Sequence, residues 1–293
     1  MKTLERNTLL TFPILILMAV LFALAGSQGG ATLGGVPVFA LAVGLSFLIN
    51  WLAFLPAYLF QTEKFFDLTG SLTYLIVTGM TLCYTRYHVP LDGRSLLLAA
   101  LVILWALRLG AFLFRRIHKA GKDDRFDELK PSFVRFLSVW TIQALWVTFT
   151  ASAAWIAITS TTRQELDVFA LLGALVWLIG FAIEVIADAQ KSRFNADPAN
   201  KGKFIRTGLW SRSRHPNYFG EIVLWIGVAI IALPVLHGWQ WVALISPIFV
   251  TLLLTRVSGI PLLEKKADAK WGGQADYEEY KKNTPLLIPR LEE

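Results

Sequence analysis

LDVFALLGALVWLIGFAIEVIAD, residues 166–188, is the stretch that decides the fold. From Val168 to Ile183 it carries no ionisable side chain. About 20 mostly apolar residues are enough to cross a bilayer as a helix, so this is a membrane span rather than a core segment of a soluble domain. Its far end changes character: Glu184 and Asp188 stand four residues apart, which puts both carboxylates on one helix face at one membrane boundary.

Working outward, similar apolar runs fall near 9–25, 37–59, 68–86, 95–114, 134–158, 217–235 and 239–258. The composition agrees, with 55% hydrophobic residues, only 17% charged, and 11 Trp and 20 Phe among 293 residues. The expectation is an all-α polytopic membrane helix bundle of seven to eight transmembrane helices, a single integral membrane domain over residues 1–293. Of the 28 Lys and Arg, seven lie in each of the segments 115–135, 191–214 and 256–290. Basic residues accumulate in cytoplasmic loops, and eight spans with Lys2 and Arg6 inside put all three segments and both termini in the cytoplasm. His88 and Arg94, in the opposite linker 87–94, are the exception. The run from Leu9 to Leu24 with Ala23-Leu24-Ala25 also fits a signal peptide and its cleavage site, a reading that leaves seven spans. Leu291–Glu293 carries no endoplasmic-reticulum retention signal, and a bacterial inner membrane is the expected location.

Several functions are excluded or unnecessary. The single cysteine, Cys83, allows no disulfide framework, and His88, His118, His215 and His237 lack helical metal-ligand spacing, so no metal is expected. The net charge of +7 follows from topology and calls for no nucleic acid. No obligate protein partner is expected. Neither a mid-span charge nor an internal repeat supports a transporter.

The ionisable residues at span ends gather on one side. Asp67 opens the third span, Arg108 and Arg115 close the fourth, Glu184 and Asp188 close the sixth, Glu221 opens the seventh, and Arg256 closes the eighth. Such groups cost several kcal/mol at the membrane unless paired or hydrated. Snorkelling or structural ion pairing explains any one of them; a shared site explains the set. Between the sixth and seventh spans, Lys201, Lys203, Arg206, Arg212 and Arg214 precede a helix expected to begin near Pro216. Cations beside a helix amino terminus suit a phosphate or carboxylate, with anionic lipid as the alternative ligand.

The run Arg214-His-Pro-Asn-Tyr-Phe-Gly-Glu221, preceded by Gly208-Leu-Trp210 and Glu184-x-x-x-Asp188-x-x-Lys191, resembles the DUF1295 branch of the steroid 5-alpha-reductase superfamily. The likeness continues through Ser258-Gly-Ile-Pro-Leu-Leu-Glu264, Tyr277-x-x-Tyr280 and Pro285-Leu-Leu-Ile-Pro289. It extends more weakly back to Trp105-x-x-Arg108-Leu109, Asp124-Arg125 and Phe66-Asp67-Leu-Thr-Gly70. It covers residues 60–290, most specifically 180–290.

The resemblance implies a reductase that uses NADPH on a carbon–carbon double bond conjugated to a carbonyl in a lipophilic substrate. By motif, Glu184, Asp188 and Asn217 match residues that contact the cofactor. Arg108, Arg193, Arg214 and Arg256 are candidates for its phosphates, and Tyr218, Glu221 and Tyr280 complete the cofactor set. Asp67, or Glu63, stands where the family has a catalytic acid. Where the steroid enzymes carry a tyrosine three residues before an Arg, this chain has Trp105, whose N–H donates a hydrogen bond but yields no proton; Tyr74, Tyr84 and Tyr218 are the available substitutes. Two other readings stay open. An S-adenosylmethionine-dependent methyltransferase shares the Arg-His-Pro-x-Tyr-x-Gly motif, and a lipid-binding or transport protein would keep the fold without the chemistry. Phosphate discriminates the first, because the methyl donor carries none.

Overall fold

The computed structural model describes residues 2–290, so Leu291–Glu293 lies outside it. Among the described residues, eight helical segments are long and apolar enough to cross a membrane, in line with the sequence, and the fold is all-α and polytopic. The long helices are α1 (Lys2–Gly26), α2 (Val38–Leu59), α3 (Phe66–Thr85), α4 (Gly93–Ala120), α5 (Phe133–Thr159) and α6 (Val168–Ala196). There follow the single turn α7 (Leu209–Arg212), then α8 (Pro216–Ala232), α9 (Ile245–Leu252), α10 (Ile260–Trp271) and α11 (Ala275–Asn283). A minimal hairpin, β1 (Thr32–Leu33) with β2 (Val36–Pro37), turns on Gly34 and Gly35. Both glycines have positive φ, which a two-residue turn of matching twist requires.

The chain divides into two compact units, Met1–Ala170 with Ile231–Ser246, and Leu171–Ile230 with Pro247–Glu293. In the first, α5 is the axis: 89% of its membrane window is buried in protein, against 22% for the span in α1. The difference is written in side-chain size and polarity. Ala151, Ser152, Ala153, Ala154 and Ala157 let neighbours approach closely, and the hydroxyls of Thr148, Ser152 and Thr159 donate to carbonyls of the same helix. Cross-helix bonds add register: Trp155 Nε1 donates to Thr78 Oγ1 at 2.9 Å and Trp51 Nε1 to Thr141 Oγ1 at 3.0 Å.

Arg94 turns out to be no loose surface charge. It is 1% exposed, pairs with Asp167 at 2.9 Å, and donates to the carbonyls of Glu165 and Ile231. The Ile231 carbonyl is one of the last of α8, which the helix itself leaves unsatisfied. A cation that ties a helix end and a loop together is thus compatible with a linker otherwise poor in basic residues.

The expected eighth span is not one uniform helix. It begins as a 3-10 segment at Gly238–Leu244, becomes α9, and widens into a π turn at Leu253–Val257 before α10. Gly259 marks the bend. A Cβ there would lie 2.6 Å from the Leu254 carbonyl oxygen and 3.0 Å from the Tyr218 ring, so only glycine passes.

Candidate cofactor-binding site

The site is built in the unit Leu171–Ile230 with Pro247–Glu293, beginning from the contact between α6 and α8. Gly173 and Gly180 on α6 meet Gly220 and Gly227 on α8 backbone to backbone. A Cβ on Gly220 would come within 2.6 Å of the Glu184 nitrogen and the Gly180 oxygen, and one on Gly227 within 2.6 Å of the Trp177 nitrogen. This crossing fixes Glu184 and Asp188 relative to Asn217 and Glu221. Overpacking by one methyl costs about 1–3 kcal/mol, so Gly220→Ala is expected to lower the thermal midpoint of the detergent-solubilised protein by several degrees. An unchanged midpoint would mean that the crossing is looser than described.

The loop between α6 and α8 is held from several sides. Gly208, at φ +63°, packs on Gln190, whose Oε1 accepts from Leu209 N at 2.9 Å. Trp210 Nε1 donates to the Ala187 carbonyl, and Tyr280 donates to the Trp210 carbonyl at 2.7 Å. The Pro285–Pro289 stretch closes over this loop: Arg214 N donates to the Pro285 carbonyl and Ser213 Oγ to that of Leu287. The basic loop is therefore shaped, not merely charged.

Arg214 and His215 both bond the carboxylate of Glu264 on α10, His215 Nε2 at 2.8 Å from Oε1. The Tyr218 ring lies parallel to the imidazole, 10° between planes and 5.8 Å between centroids. Burial pushes the His215 imidazole below its ordinary pKa, although Glu264 pulls the other way. With Nε2 carrying the proton toward Glu264, Nδ1 of the neutral ring is an acceptor. His215 Nδ1, Arg214 Nε and Asn217 Oδ1 are all buried with no hydrogen-bond partner among the described residues.

A cavity of about 260 Å³ opens at Arg214, His215 and Glu264. Lys191 and Asn195 of α6, Lys203, and Lys266 and Lys270 of α10 add charge and polarity, while Phe204, Trp210, Trp271, Tyr277 and Tyr280 give it aromatic walls. Glu184 and Asp188 are 2% and 6% exposed, two turns and one turn along α6 from Lys191. Of the other sequence candidates, Glu221 is half-buried on α8, while Arg193 at the end of α6 and Arg256 in the π turn are exposed and line no part of the cavity. Lys203, Lys266 and Lys270 take up wall positions that the motifs do not mark.

The remaining candidates lie in the other unit, most of them along the antiparallel α3–α4 seam. Asp67 pairs with Arg116 at 3.2 Å, Ser71 faces Gly110, and the Tyr74 ring meets the buried Trp105 ring edge-on at 5.1 Å. The Arg108 guanidinium lies 5.4 Å from the Phe112 ring centroid. Glu63, in the loop before α3, is occupied otherwise: Lys130 Nζ binds it at 2.7 Å and Asp123 N at 2.9 Å. Burial alone would raise this carboxyl, but those two donors hold it below its ordinary value. Glu63 thereby ties down the 121–130 loop at Asp123 and Lys130.

These features define a polytopic helical membrane protein with a cation-lined, aromatic-walled cavity next to buried carboxylates. More narrowly, the chain belongs to the family described as a protein of unknown function (DUF1295), matched over residues 53–284. It is similar to rat 3-oxo-5-alpha-steroid 4-dehydrogenase 1, 29% identical over 120 residues, 41% of this chain and 40% of the rat protein. It is likewise similar to the steroid 5-alpha-reductase DET2 of Gossypium hirsutum, 29% identical over 119 residues, 41% of each chain. A probable O-methyltransferase, ustE of Ustilaginoidea virens, is 30% identical over 66 residues, 22% of this chain and 23% of that protein. The chain thus spans about two fifths of the length of the two reductases. No solved structure is significantly similar to it.

Proposed function

We propose that this protein is a membrane-embedded, NADPH-dependent reductase of a carbon–carbon double bond conjugated to a carbonyl in a lipophilic substrate. The observation that carries this reading is the cavity with five cations, Lys191, Lys203, Arg214, Lys266 and Lys270, around aromatic walls. The similarity to two steroid reductases supports it. The unmatched atoms fit the cofactor as well. Each buried polar atom without a partner costs about 1–3 kcal/mol, and a ligand with phosphate oxygens and a primary carboxamide offers both acceptors and donors.

Bound NADPH supplies the hydride for the β carbon, and the protein holds the cofactor and manages the charge. Arg214 and the lysines neutralise phosphate charge. Glu184, Asp188 and Asn217, fixed by the glycine crossing, orient the cofactor. As negative charge builds on the carbonyl oxygen, a donor must meet it. By the family resemblance the candidates for that donor are Asp67 and Trp105 on the α3–α4 seam, with Tyr74, whose ring meets that of Trp105 edge-on, as the candidate phenol. Tyr74 thus takes over from the tyrosine that position 105 lacks. The three basic segments support a site open to the cytoplasm.

Methyl transfer is the second reading, favoured by the likeness to ustE. It leaves Lys203, Lys266 and Lys270 without a phosphate to bind, Arg214 being paired with Glu264 in either reading. The test is turnover by the purified full-length protein in detergent, with NADPH and a panel of 4-en-3-one steroids and acyclic isoprenoid enones. Enone-dependent consumption of NADPH with a saturated product is expected. Failure with every enone, together with methyl transfer from S-adenosylmethionine, would overturn the reading.

A further inference from the structure

Resting on the reductase reading, we infer that the cavity takes only the adenosine 2′-phosphate end of the cofactor, and that Lys203, Lys266 and Lys270 make the protein prefer NADPH to NADH. Size decides the first point. A volume of about 260 Å³ falls below the roughly 300–1,000 Å³ of pockets that enclose a whole small ligand. It holds a base and its ribose, not a dinucleotide.

The walls decide which end. Phe204 sits among Trp271, Tyr277 and Tyr280 with ring centroids 5.8, 5.2 and 5.3 Å away. Trp271 is pinned by its Nε1 bond to the Gly202 carbonyl, and Tyr280 by its bond to Trp210. Fixed aromatic faces stack a purine with a gain of about 1–3 kcal/mol.

At the rim stand Lys203, Lys266 and Lys270, all exposed. Lys270 Nζ lies 4.5 Å from the Trp271 ring centroid, and Lys203 and Lys266 form no ion pair among the described residues. Three cations around an aromatic box match a base that carries a phosphate on its ribose.

The rest of the cofactor has a track. Asn195 and Lys191 in the cavity and Asp188 and Glu184 beyond it are spaced four, three and four residues apart, one face of α6. At 1.5 Å per residue, Lys191 and Glu184 are about 10 Å apart along the axis. Lys191 and Arg214 would hold the pyrophosphate, and Asn217, whose buried Oδ1 lacks a donor, would hold the carboxamide.

The experiment is binding to the full-length protein in detergent, with NADPH, NADH, adenosine 2′,5′-bisphosphate and 5′-AMP as probes. The wild type is expected to bind the bisphosphate more tightly than 5′-AMP. The triple variant K203A/K266A/K270A should lose on the order of 100-fold in NADPH affinity while NADH affinity moves less than about threefold. The charge-retaining K203R/K266R/K270R should keep the preference. A triple alanine variant that still prefers NADPH by the wild-type ratio overturns this inference and leaves the reductase reading standing. A wild type that binds neither NADPH nor NADH overturns both.

Discussion

Replacing Asp188 with alanine is expected to weaken NADPH binding on the order of 100-fold, and replacing Asn217 on the order of tenfold, while both variants remain folded in the membrane. Asp188 is 6% exposed on the α6 face that leads out of the cavity, and a charge-assisted hydrogen bond donated to a buried carboxylate is worth about 1.5–3 kcal/mol. Asn217 is neutral, so its loss costs less; its Oδ1 has no protein partner to strand. Folding survives because the α6–α8 crossing depends on Gly173, Gly180, Gly220 and Gly227 rather than on these side chains. Titration of the variants with NADPH, alongside thermal melts, checks both halves of the expectation. Wild-type affinity in both variants would remove these two residues from the cofactor site.

The second large effect concerns the proton. Tyr74→Phe is expected to lower kcat by about 10²–10⁴, the range for loss of a positioned general acid, with NADPH affinity unchanged. Phenylalanine preserves the edge-on contact with Trp105, so the change is chemical rather than steric. The double variant Tyr74→Phe/Trp105→Tyr returns a phenol to the seam and should recover part of the lost rate. Trp105→Phe alone should cost less, since it removes a hydrogen bond but no proton. A Tyr74→Phe protein that turns over at the wild-type rate would pass the role to Asp67 or another donor.

The spans and their count are legible in the sequence because a bilayer imposes length and apolarity on each helix independently of its neighbours. Packing is not so imposed. α5 has many hydroxyls and reads as an ordinary span, yet it is the buried axis, because Thr and Ser satisfy themselves on their own helix and small residues admit neighbours. Arg94 reads as an exception to the charge rule until Asp167 and the end of α8 supply its partners. The α6 carboxylates, the 201–214 loop and the α8 start are marked by motif and local spacing, and the structure brings Arg214, His215 and Tyr280 to one cavity. Lys266 and Lys270 are hidden because the π turn at Leu253–Val257 and the Gly259 bend set the direction of α10, and spacing alone does not encode that direction. Their i, i+4 separation next to Trp271 is the available signal. Arg256, by contrast, follows a span end in the sequence but projects from the π turn to the surface.

Reduction and methyl transfer are separated most simply by side-by-side binding of NADPH, NADH and S-adenosylmethionine to the purified full-length protein. Binding of NADPH well above NADH, with no measurable binding of the methyl donor, is the predicted result. Binding of S-adenosylmethionine without NADPH would contradict the reductase assignment and give the cavity to methyl transfer.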